Sequence, residues 1–404
     1  MGPFLPRGVT MSVSLIDFLA GGLLQFGFWQ LVLYLLVMTQ LTIFSVTLYL
    51  HRSQAHRGVD FHPVVAHFFR FWTWLTTSMI TKEWVAIHRK HHAKCETEED
   101  PHSPQFKGIG TVFWRGVELY REARGMRADI EQYGRGTPDD WIERHLYTPH
   151  ATLGPTLLLL VSFVLFGFAG VAVWAIQMLW IPFWAAGVVN GLGHWWGYRN
   201  FDTTDTATNL SPWGVWIGGE ELHNNHHAFA SSAKLSCKWF EFDIGWMYIR
   251  ILEMLGLAKV KKVAPTPKFA PAKSTIDFDT LHAVLTHRYD VWAKYCQSLK
   301  RTFAQEMSKF ADEHPNAWRI KRWLLRDESK LGEHERAKLQ EVLAKSKALE
   351  TAYAMRRELA ALWQRSTASR EQLLKQLQDW CQRAEESGIA PLREFALRLR
   401  SYAA

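Results

Sequence analysis

The sequence predicts an all-α membrane protein with about four transmembrane helices, a dimetal site on the cytosolic side and a C-terminal helical extension. Three observations lead to this prediction. Residues 18–50 and 151–197 contain no Lys, Arg, Asp or Glu. Eight of the 18 histidines lie in three short boxes beside these apolar stretches. Residues 275–404 are rich in Ala, Glu, Lys, Leu and Arg, a composition typical of amphipathic helices.

The lengths of the two apolar stretches set the expected number of spans. Residues 151–197 would extend about 70 Å as a helix, against a hydrocarbon core of roughly 30 Å. We therefore expect two spans, about 152–170 and 174–196, that turn near Gly167 to Gly170. Residues 18–50 would extend about 50 Å, which predicts a short first span, about 13–27, and a full one, about 30–50.

The next segment, about 61–81, is apolar and aromatic but contains His62, His67 and Arg70. Histidine boxes flank it on both sides. If these boxes share one site they lie on one side of the membrane, so the segment does not cross. We expect an interfacial amphipathic helix here. The membrane domain would then cover residues 11–258, with Met11 as a possible alternative start.

Charge and cysteine content indicate the partners and the location of the protein. The net charge of +8 would suit nucleic acid or an anionic membrane surface, and the apolar runs favour the membrane, so we expect no nucleic-acid partner. The four cysteines are scattered, as is typical of a reducing compartment. Cations cluster beside the boxes, which by the positive-inside rule places the boxes in the cytoplasm: Arg52, Arg57, Arg89, Lys90 and Lys94.

The three boxes predict a metal site, because neutral imidazole is a common ligand for iron, zinc and copper. Histidines three and four apart share one helical face, which holds in the second and third boxes. The H-x4-H spacing of the first box does not, and indicates a helix end. The boxes contain His51 and His56; His88, His91 and His92; and His223, His226 and His227.

A ninth histidine, His194, lies four residues after Asn190 inside the last apolar stretch. Polar groups at membrane depth are usually functional, and His194 is expected to be a ligand; a hydrogen-bonded pair joining two helices is the alternative. Nine histidines are too many for one ion, so two metals are expected. A mainly imidazole site beside hydrocarbon suits O2 activation by iron. Two Glu-x-x-His spacings also occur, from Glu99 and from Glu220, but Pro101 interrupts the first.

Together these motifs resemble the membrane-bound histidine-box fatty acid desaturases, closest to bacterial relatives of the stearoyl-CoA type. Further matches are Trp84, Glu99-Asp100-Pro101-His102, Gly197-Tyr198-Arg199 and Gly219-Glu220-Glu221-Leu222-His223-Asn224-Asn225-His226-His227. The resemblance covers roughly residues 11–250.

The resemblance implies four transmembrane helices capped by a cytosolic helical region that holds two iron ions (Fe2+). The nine histidines match the family's iron ligands and Asn190 a residue that reaches iron through water. No catalytic residue beyond these ligands is implied. The reaction would use O2 and two electrons to introduce a cis double bond, most often at Δ9, into a saturated acyl chain. Trp84 matches an aromatic of the substrate tunnel, although plain packing is as good an explanation.

The sequence departs from the animal members directly before the second box. Ala86 and Ile87 stand where charged residues help to hold CoA, so the substrate could be an acyl-CoA or an acyl chain of a phospholipid. No His-Pro-Gly-Gly haem motif is present. A separate electron donor is therefore expected, either ferredoxin-like or a flavin/iron–sulfur reductase. The implied location is a bacterial inner membrane, with the protein crossing it several times and the C-terminus in the cytoplasm.

The C-terminal third is expected to form a separate part of the chain. Residues 259–274 hold five lysines, three prolines and no acid, which predicts a semi-rigid basic linker. Residues 275–404 are expected to form a cytosolic extension of three or four helices, broken near Pro315 and near Gly388 to Pro391. It would pack on the core or self-associate, or else dock the electron donor.

Two other functions fit part of the pattern. A di-iron hydroxylase or ketolase acting on a lipid or hydrocarbon would use the same ligand spacing, and only the surrounding motifs favour a desaturase. A metal transporter or sensor would place polar ligands midway through the spans, along a pore. Because eight of the nine histidines lie outside the spans, the sequence argues against transport.

Overall fold

The computed structural model describes residues 14–307, 317–326, 328, 331–364 and 367–403. The chain separates into two compact units, Met1–Ala264 and Pro265–Ala404. Helices dominate both units, and the described strands pair only in short two-stranded ladders.

The N-terminal apolar stretch is divided into a short helix and a long one. Helix α1, Leu15–Gly21, has seven residues and rises only about 10 Å. Gly22, at φ 64°, ends it. The predicted first span, 13–27, is therefore wrong as one continuous helix. Helix α2, Phe28–Phe44, continues without a break into a π-helical segment, Ser45–Ala55.

Two described segments are long and apolar enough to cross a membrane, Phe28–Ala55 and Leu153–His194. The second contains helix α9, Leu153–Ile181, then a π-helical segment, Pro182–Gly191, and a 3₁₀ turn, Leu192–His194. Its backbone reverses at Gly167, at φ 62° and ψ −146°. The Trp174 Nε1–H donates to Pro155 O at 2.9 Å, so the two arms run side by side.

The turn lies at Gly167, so the first arm ends before the predicted residue 170 and the second arm begins before the predicted residue 174. A Cβ at Gly167 would lie 2.4 Å from Leu19 O, so α1 packs directly against the turn and leaves no room for a side chain. The N–H groups of Leu23 and Leu24 donate to Val164 O and Leu165 O, both at 3.0 Å. These bonds satisfy carbonyls at the end of the first arm.

The segment predicted as one interfacial helix, 61–81, is shared by three elements. Strand β1 is Val59–Phe61, helix α3 is Pro63–Thr77, and Thr81 already belongs to helix α4, Thr81–Lys94. Ser78, at φ 60°, separates the helices. Arg70 of α3 is buried, and it forms ion pairs with Asp140 at 2.5 Å and Glu143 at 3.1 Å. Its charge is thus neutralised inside the protein.

The remainder of the first unit consists of short elements. Between the second box and α9 lie α5 (Pro104–Lys107), α6 (Ile109–Trp114), α7 (Gly116–Gly125), α8 (Arg127–Tyr133) and a π-helical turn (Glu143–Tyr147). After His194 come β2 (Trp213–Gly214), α10 (His223–Ala228), β3 (Phe242–Asp243), α11 (Ile244–Met254) and β4 (Ala258–Val260). Strands β1 and β4 pair antiparallel, and β2 and β3 pair parallel.

The second unit has its own apolar core, which includes the buried rings of Tyr295, Trp380 and Phe395. Seven helices are described where three or four were predicted, because Gly332, Ser346 and Ser369 each begin a new helix. The predicted break near Pro315 lies outside the described residues. The elements are β5 (Lys268–Phe269), α12 (Phe278–Thr286), α13 (Arg288–Met307), α14 (Ala317–Leu325), α15 (Glu333–Lys345), α16 (Lys347–Ala361), α17 (Arg370–Glu386), α18 (Ala390–Leu399) and β6 (Tyr402–Ala403).

A buried ion pair joins the first box to the start of α11. The Arg52 guanidinium donates to both carboxylate oxygens of Asp243 at 2.9 Å, and also to Gly218 O and Ala233 O. The two side chains are 1% and 0% exposed. Removing one member of such a pair leaves an unpaired buried charge, which is strongly destabilising.

We expect Arg52→Met to lower the free energy of unfolding by about 3–5 kcal/mol. The control is Asp60→Asn, which removes an exposed pair with Lys261 (58% and 42% exposed) and is expected to cost less than about 1 kcal/mol. Denaturant unfolding in detergent, followed by tryptophan fluorescence, measures both. Equal effects of the two variants would contradict the structural role of Arg52.

Candidate metal centre

The nine predicted histidines converge in two adjoining groups. In each group, one nitrogen from every ring lies within 4.8 Å of the others. No box supplies a group alone: the second and third boxes each contribute to both. Group one contains His51, His56, His88, His92 and His226, and group two contains His91, His194, His223 and His227.

The first box lies on the π-helical segment that extends α2. There the His56 N–H donates to His51 O, five residues back, at 3.0 Å. This i→i+5 bonding is the π-helical pattern, which is often found at functional sites. It brings residues five apart onto one face, and the His51 and His56 rings lie 4.8 Å apart. His56 is the C-cap, so the predicted helix end is also present.

The second box lies on α4, where regular helical spacing directs its histidines. His88 and His92 are four apart and their rings lie 4.7 Å from each other. Trp84, one turn earlier, stacks on His88 at 5.0 Å with an interplanar angle of 8°. The indole of Trp84 therefore packs on one face of the His88 ring and limits its orientation.

The third box begins helix α10 at its first residue, His223. The ring of His223 packs against Gly193, where a Cβ would come within 3.1 Å of it. The Nε2 atoms of His223 and His194 lie 3.0 Å apart. Because Gly193 has no side chain, the end of the last apolar segment can reach the third box.

In group one, ring nitrogens face each other at hydrogen-bond distances. The Nε2 atom of His226 is 3.1 Å from that of His51 and 2.9 Å from that of His92. The Nε2 atoms of His56 and His88 are 2.7 Å apart. The groups touch where the His92 and His227 rings stack at 4.4 Å.

Carboxylates outside the groups orient several rings. His51 Nδ1 is 2.8 Å from Glu220 Oε1, His91 Nδ1 is 3.0 Å from Asp100 Oδ1, and His227 Nδ1 is 3.1 Å from Asp205 Oδ2. Since a carboxylate only accepts, Nδ1 must donate its proton. This tautomer leaves the Nε2 lone pair free to bind a metal. Glu96, 3.6 Å from His194 Nδ1, lies beside the fourth such ring.

Burial keeps most of these rings neutral. It lowers the pKa well below the ordinary value of histidine, and neighbouring rings lower it further. Metal binding needs this neutral form at physiological pH. The lowered pKa applies to His56, His88, His92, His223, His226 and His227.

The donor atoms fit transition metals. His227 Nε2 is buried and has no hydrogen-bond partner among the described residues, although its Nδ1 is bonded. Convergent neutral nitrogens of this kind suit iron, copper or zinc. Three smaller sets that include Cys95, Glu96, Asp100, His102 or Asp205 share His91, His194 or His227 with group two, so they are not separate sites.

Other residues singled out in the sequence occupy different positions. Glu220 contacts His51 from outside group one instead of joining it. Glu99 pairs with Lys94 on the surface, and His102 is buried with its ring 4.3 Å from that of His91. Sequence reasoning missed Glu96 and Asp205, because they contact His194 and His227, which lie far from them in the sequence. Asp100 was visible only as part of a longer motif.

An apolar cavity of about 340 Å³ adjoins both groups. Asn190, Trp84, His51, His88 and His223 line its inner part. Exposed Val117, Arg121 and Thr152 line another part, so the cavity extends from the histidines to the protein surface. Its size and mainly apolar wall match those of small-molecule binding sites.

Comparison with known sequences agrees with this geometry. A sequence model of the fatty acid desaturase family matches residues 27–243. Delta-9 acyl-lipid desaturase 1 of Arabidopsis thaliana is 32% identical over 264 residues, which are 64% of this chain and 77% of that protein. The sn-1 stearoyl-lipid 9-desaturase of Anabaena variabilis is 31% identical over 226 residues, 54% of this chain and 79% of that protein.

Two further similarities concern the substrate class and the second unit. Acyl-CoA 5-desaturase AL21 of Anemone leveillei is 31% identical over 227 residues, 55% of this chain and 68% of that protein. A family model described as a transposase matches residues 272–404, within the second unit.

The desaturase match covers more than half of the chain and all nine converging histidines. The family's activity is desaturation of fatty acyl chains, which an apolar cavity ending at the two histidine groups accommodates. The chain therefore belongs to the fatty acid desaturase family and is an oxidoreductase that desaturates fatty acyl chains.

Proposed function

We propose that this enzyme introduces a cis double bond at Δ9 of a saturated acyl chain, using O2 and two electrons. The observation that supports it most directly is the convergence of nine imidazoles beside an apolar cavity. The Δ9 position rests on the names of two relatives, Delta-9 acyl-lipid desaturase 1 and sn-1 stearoyl-lipid 9-desaturase.

The two histidine groups are proposed to hold two iron ions, one in each group, with Asn190 reaching a metal through water. Bound iron would supply the O2 activation that protein side chains lack. The protein would keep the ring nitrogens neutral, oriented toward the metal and shielded from water. The proposed ligands are His51, His56, His88, His92 and His226 for one ion and His91, His194, His223 and His227 for the other.

The cavity is proposed to position the acyl chain. Its apolar wall excludes water from the reacting carbons, and its fixed path selects which C–C bond meets the metals. Trp84 lines the cavity while it stacks on His88, so one side chain touches both the metal ligand and the space for substrate. We assign Trp84 a positioning role.

The acyl carrier is proposed to be a membrane lipid. Arg121 lines the outer part of the cavity, is exposed, and forms no ion pair among the described residues. Exposed apolar side chains stand shortly before Arg121, at Trp114 and Val117, and Leu153 follows Thr152, which also lines the cavity. A cation beside an apolar surface would suit a phospholipid phosphate whose acyl chain enters from the bilayer.

The enzyme is proposed to be a multi-pass protein of the bacterial inner membrane, with the metal centre and C-terminus in the cytoplasm. Helix α2 and the two arms that meet at Gly167 would cross the bilayer. The short α1 would lie at the far interface, because it packs on that turn. The domains would be the membrane domain, 11–258, the basic linker, 259–274, and the helical extension, 275–404. A separate electron donor, ferredoxin-like or a flavin/iron–sulfur reductase, would dock on the cytoplasmic side.

Fatty acid profiling tests the activity. Cells expressing the chain should gain a cis-monoene that mass spectrometry locates at Δ9, and His223→Ala should abolish it, since a group-two nitrogen is lost. The control is His145→Ala, which alters an exposed histidine. A monoene that persists in His223→Ala would contradict the ligand assignment, and a hydroxylated product would identify a hydroxylase.

Asp205→Asn tests the outer carboxylates. The Thr203 and Ala207 donors use Oδ1, so the side chain should stay in place and turn its new amide toward His227 Nδ1. Nδ1 would then accept, and Nε2 would carry the proton. We expect metal affinity to fall about 10–100-fold, as measured by iron retention against a chelator. Asp202→Asn, in an exposed neighbouring carboxylate, should leave retention unchanged; an equal loss in both would count against the tautomer argument.

Arg121→Gln tests the carrier. If Arg121 binds a lipid phosphate, KM for a phospholipid substrate in mixed micelles should rise several-fold, with kcat nearly unchanged. The control is Arg115→Gln, also exposed but outside the cavity lining. Turnover of stearoyl-CoA but not of phospholipid by the unaltered enzyme would refute the lipid carrier.

A further inference from the structure

Helix α11 is attached firmly to the metal-bearing part of the first unit. Asp243 caps it by accepting from the Trp246 N–H at 2.9 Å, and the same carboxylate binds Arg52. On its inner side α11 buries Gly245 and Ile249. The Tyr248 ring lies 4.3 Å from that of Phe44, the last residue of α2. The helix is thus fixed where α2 gives way to the histidine-bearing π-helical segment.

The opposite side of α11 is apolar and exposed. Met247, Ile251, Met254 and Leu255 have exposed fractions of 37%, 39%, 74% and 66%. Their spacing places them along one helical stripe, which we call the α11 apolar face. Exposed aromatics stand just before the helix, at Trp239, Phe240 and Phe242. Helix α11 and the segment 239–242 before it thus leave large apolar side chains exposed.

The position of α11 along α2 indicates what covers this face. From Phe28 to Phe44, α2 rises about 25 Å, close to the roughly 30 Å of a hydrocarbon core. Exposed apolar side chains occur along α2 at Phe28, Trp29, Leu33 and Val37. From Thr39 onward most side chains are buried in protein. Helix α11 packs at Phe44, about 10 Å beyond Val37 along the axis of α2. Its apolar face therefore lies past the end of the exposed stretch, at the level where an interfacial helix would meet the lipid head groups.

Charge supports the same occupant. The chain that follows the helix exposes Lys259 and Lys262, which form no ion pair among the described residues. Arg250 and Lys261 are also exposed, but they pair with Glu253 and Asp60. Interfacial helices combine an apolar face with cations that reach anionic head groups. A protein partner would not require this arrangement, whereas an anionic lipid surface matches both its apolar and its basic parts.

We propose that α11 is an interfacial anchor, with its apolar face inserted into the cytoplasmic leaflet. The inference rests on the proposed membrane placement of the enzyme. Since Asp243 joins α11 to Arg52, the anchor holds the first box at a set depth relative to the bilayer. The metal centre then lies at a fixed height above the leaflet from which the acyl chain enters.

Site-directed spin labelling tests the anchor. Single cysteines at Met254→Cys, Lys262→Cys and Leu33→Cys are introduced after the four native cysteines are replaced by alanine. The labelled full chain is reconstituted in vesicles of phosphatidylcholine and phosphatidylglycerol, and turnover verifies that each variant is folded. Collision with O2, which partitions into the bilayer, is compared with collision with a water-soluble nickel chelate. Leu33, an exposed residue of α2, reports whether the span itself contacts lipid.

We expect the label at 254 to favour O2 over the nickel chelate, and the label at 262, in the exposed basic chain after the helix, to show the reverse. Preference for the chelate at 254, with lipid contact retained at 33, would overturn the anchor and leave the membrane placement intact. Shielding from both reagents at 254 would also overturn it, in favour of a protein contact such as residues 265–404. Water contact at 33 would instead refute the proposed membrane placement.

Discussion

The requirement that nine imidazole rings present free nitrogen lone pairs to one buried volume governs the rest of the structure. The nitrogen lone pairs of such rings repel one another. The rings therefore keep these positions only when they are neutral, shielded from water and held by hydrogen bonds from outside the groups. Burial supplies the neutral form, as the lowered pKa of His88 and His226 shows. The carboxylates of Glu220, Asp100 and Asp205 supply the holding bonds. A metal ion would replace the repulsion by coordination.

The backbone departs from regular helix where the rings must meet. The first box uses π-helical turns, which align histidines five apart. The last apolar segment ends in π-helical and 3₁₀ turns that place His194 against His223. Gly193 permits that approach because a Cβ there would lie 3.1 Å from the His223 ring. These irregular segments are the places where the long apolar helices bring His51 and His194 into the two groups.

The centre also connects two environments. Its outer carboxylates and the Arg52–Asp243 pair form a polar shell, while the adjoining cavity, whose lining includes Glu220, is mainly apolar. An acyl chain can therefore approach the histidine groups without water, and charged groups remain near enough to orient the rings. Arg70 is a buried charge outside the two histidine groups, and its ion pairs with Asp140 and Glu143 neutralise it inside the protein.

The sequence by itself identified the nine histidines that converge, the apolar segments and the turn near Gly167, because histidine spacing, uncharged length and glycine act locally along the chain. Tertiary structure alone decided how the ligands are divided. His91 leaves its neighbours His88 and His92 to join group two, and His226 crosses to group one. The short α1, the neutralised Arg70 and the carboxylates of Glu96 and Asp205 were equally undetermined. Each depends on contacts between residues far apart in sequence, which packing creates and no local pattern encodes.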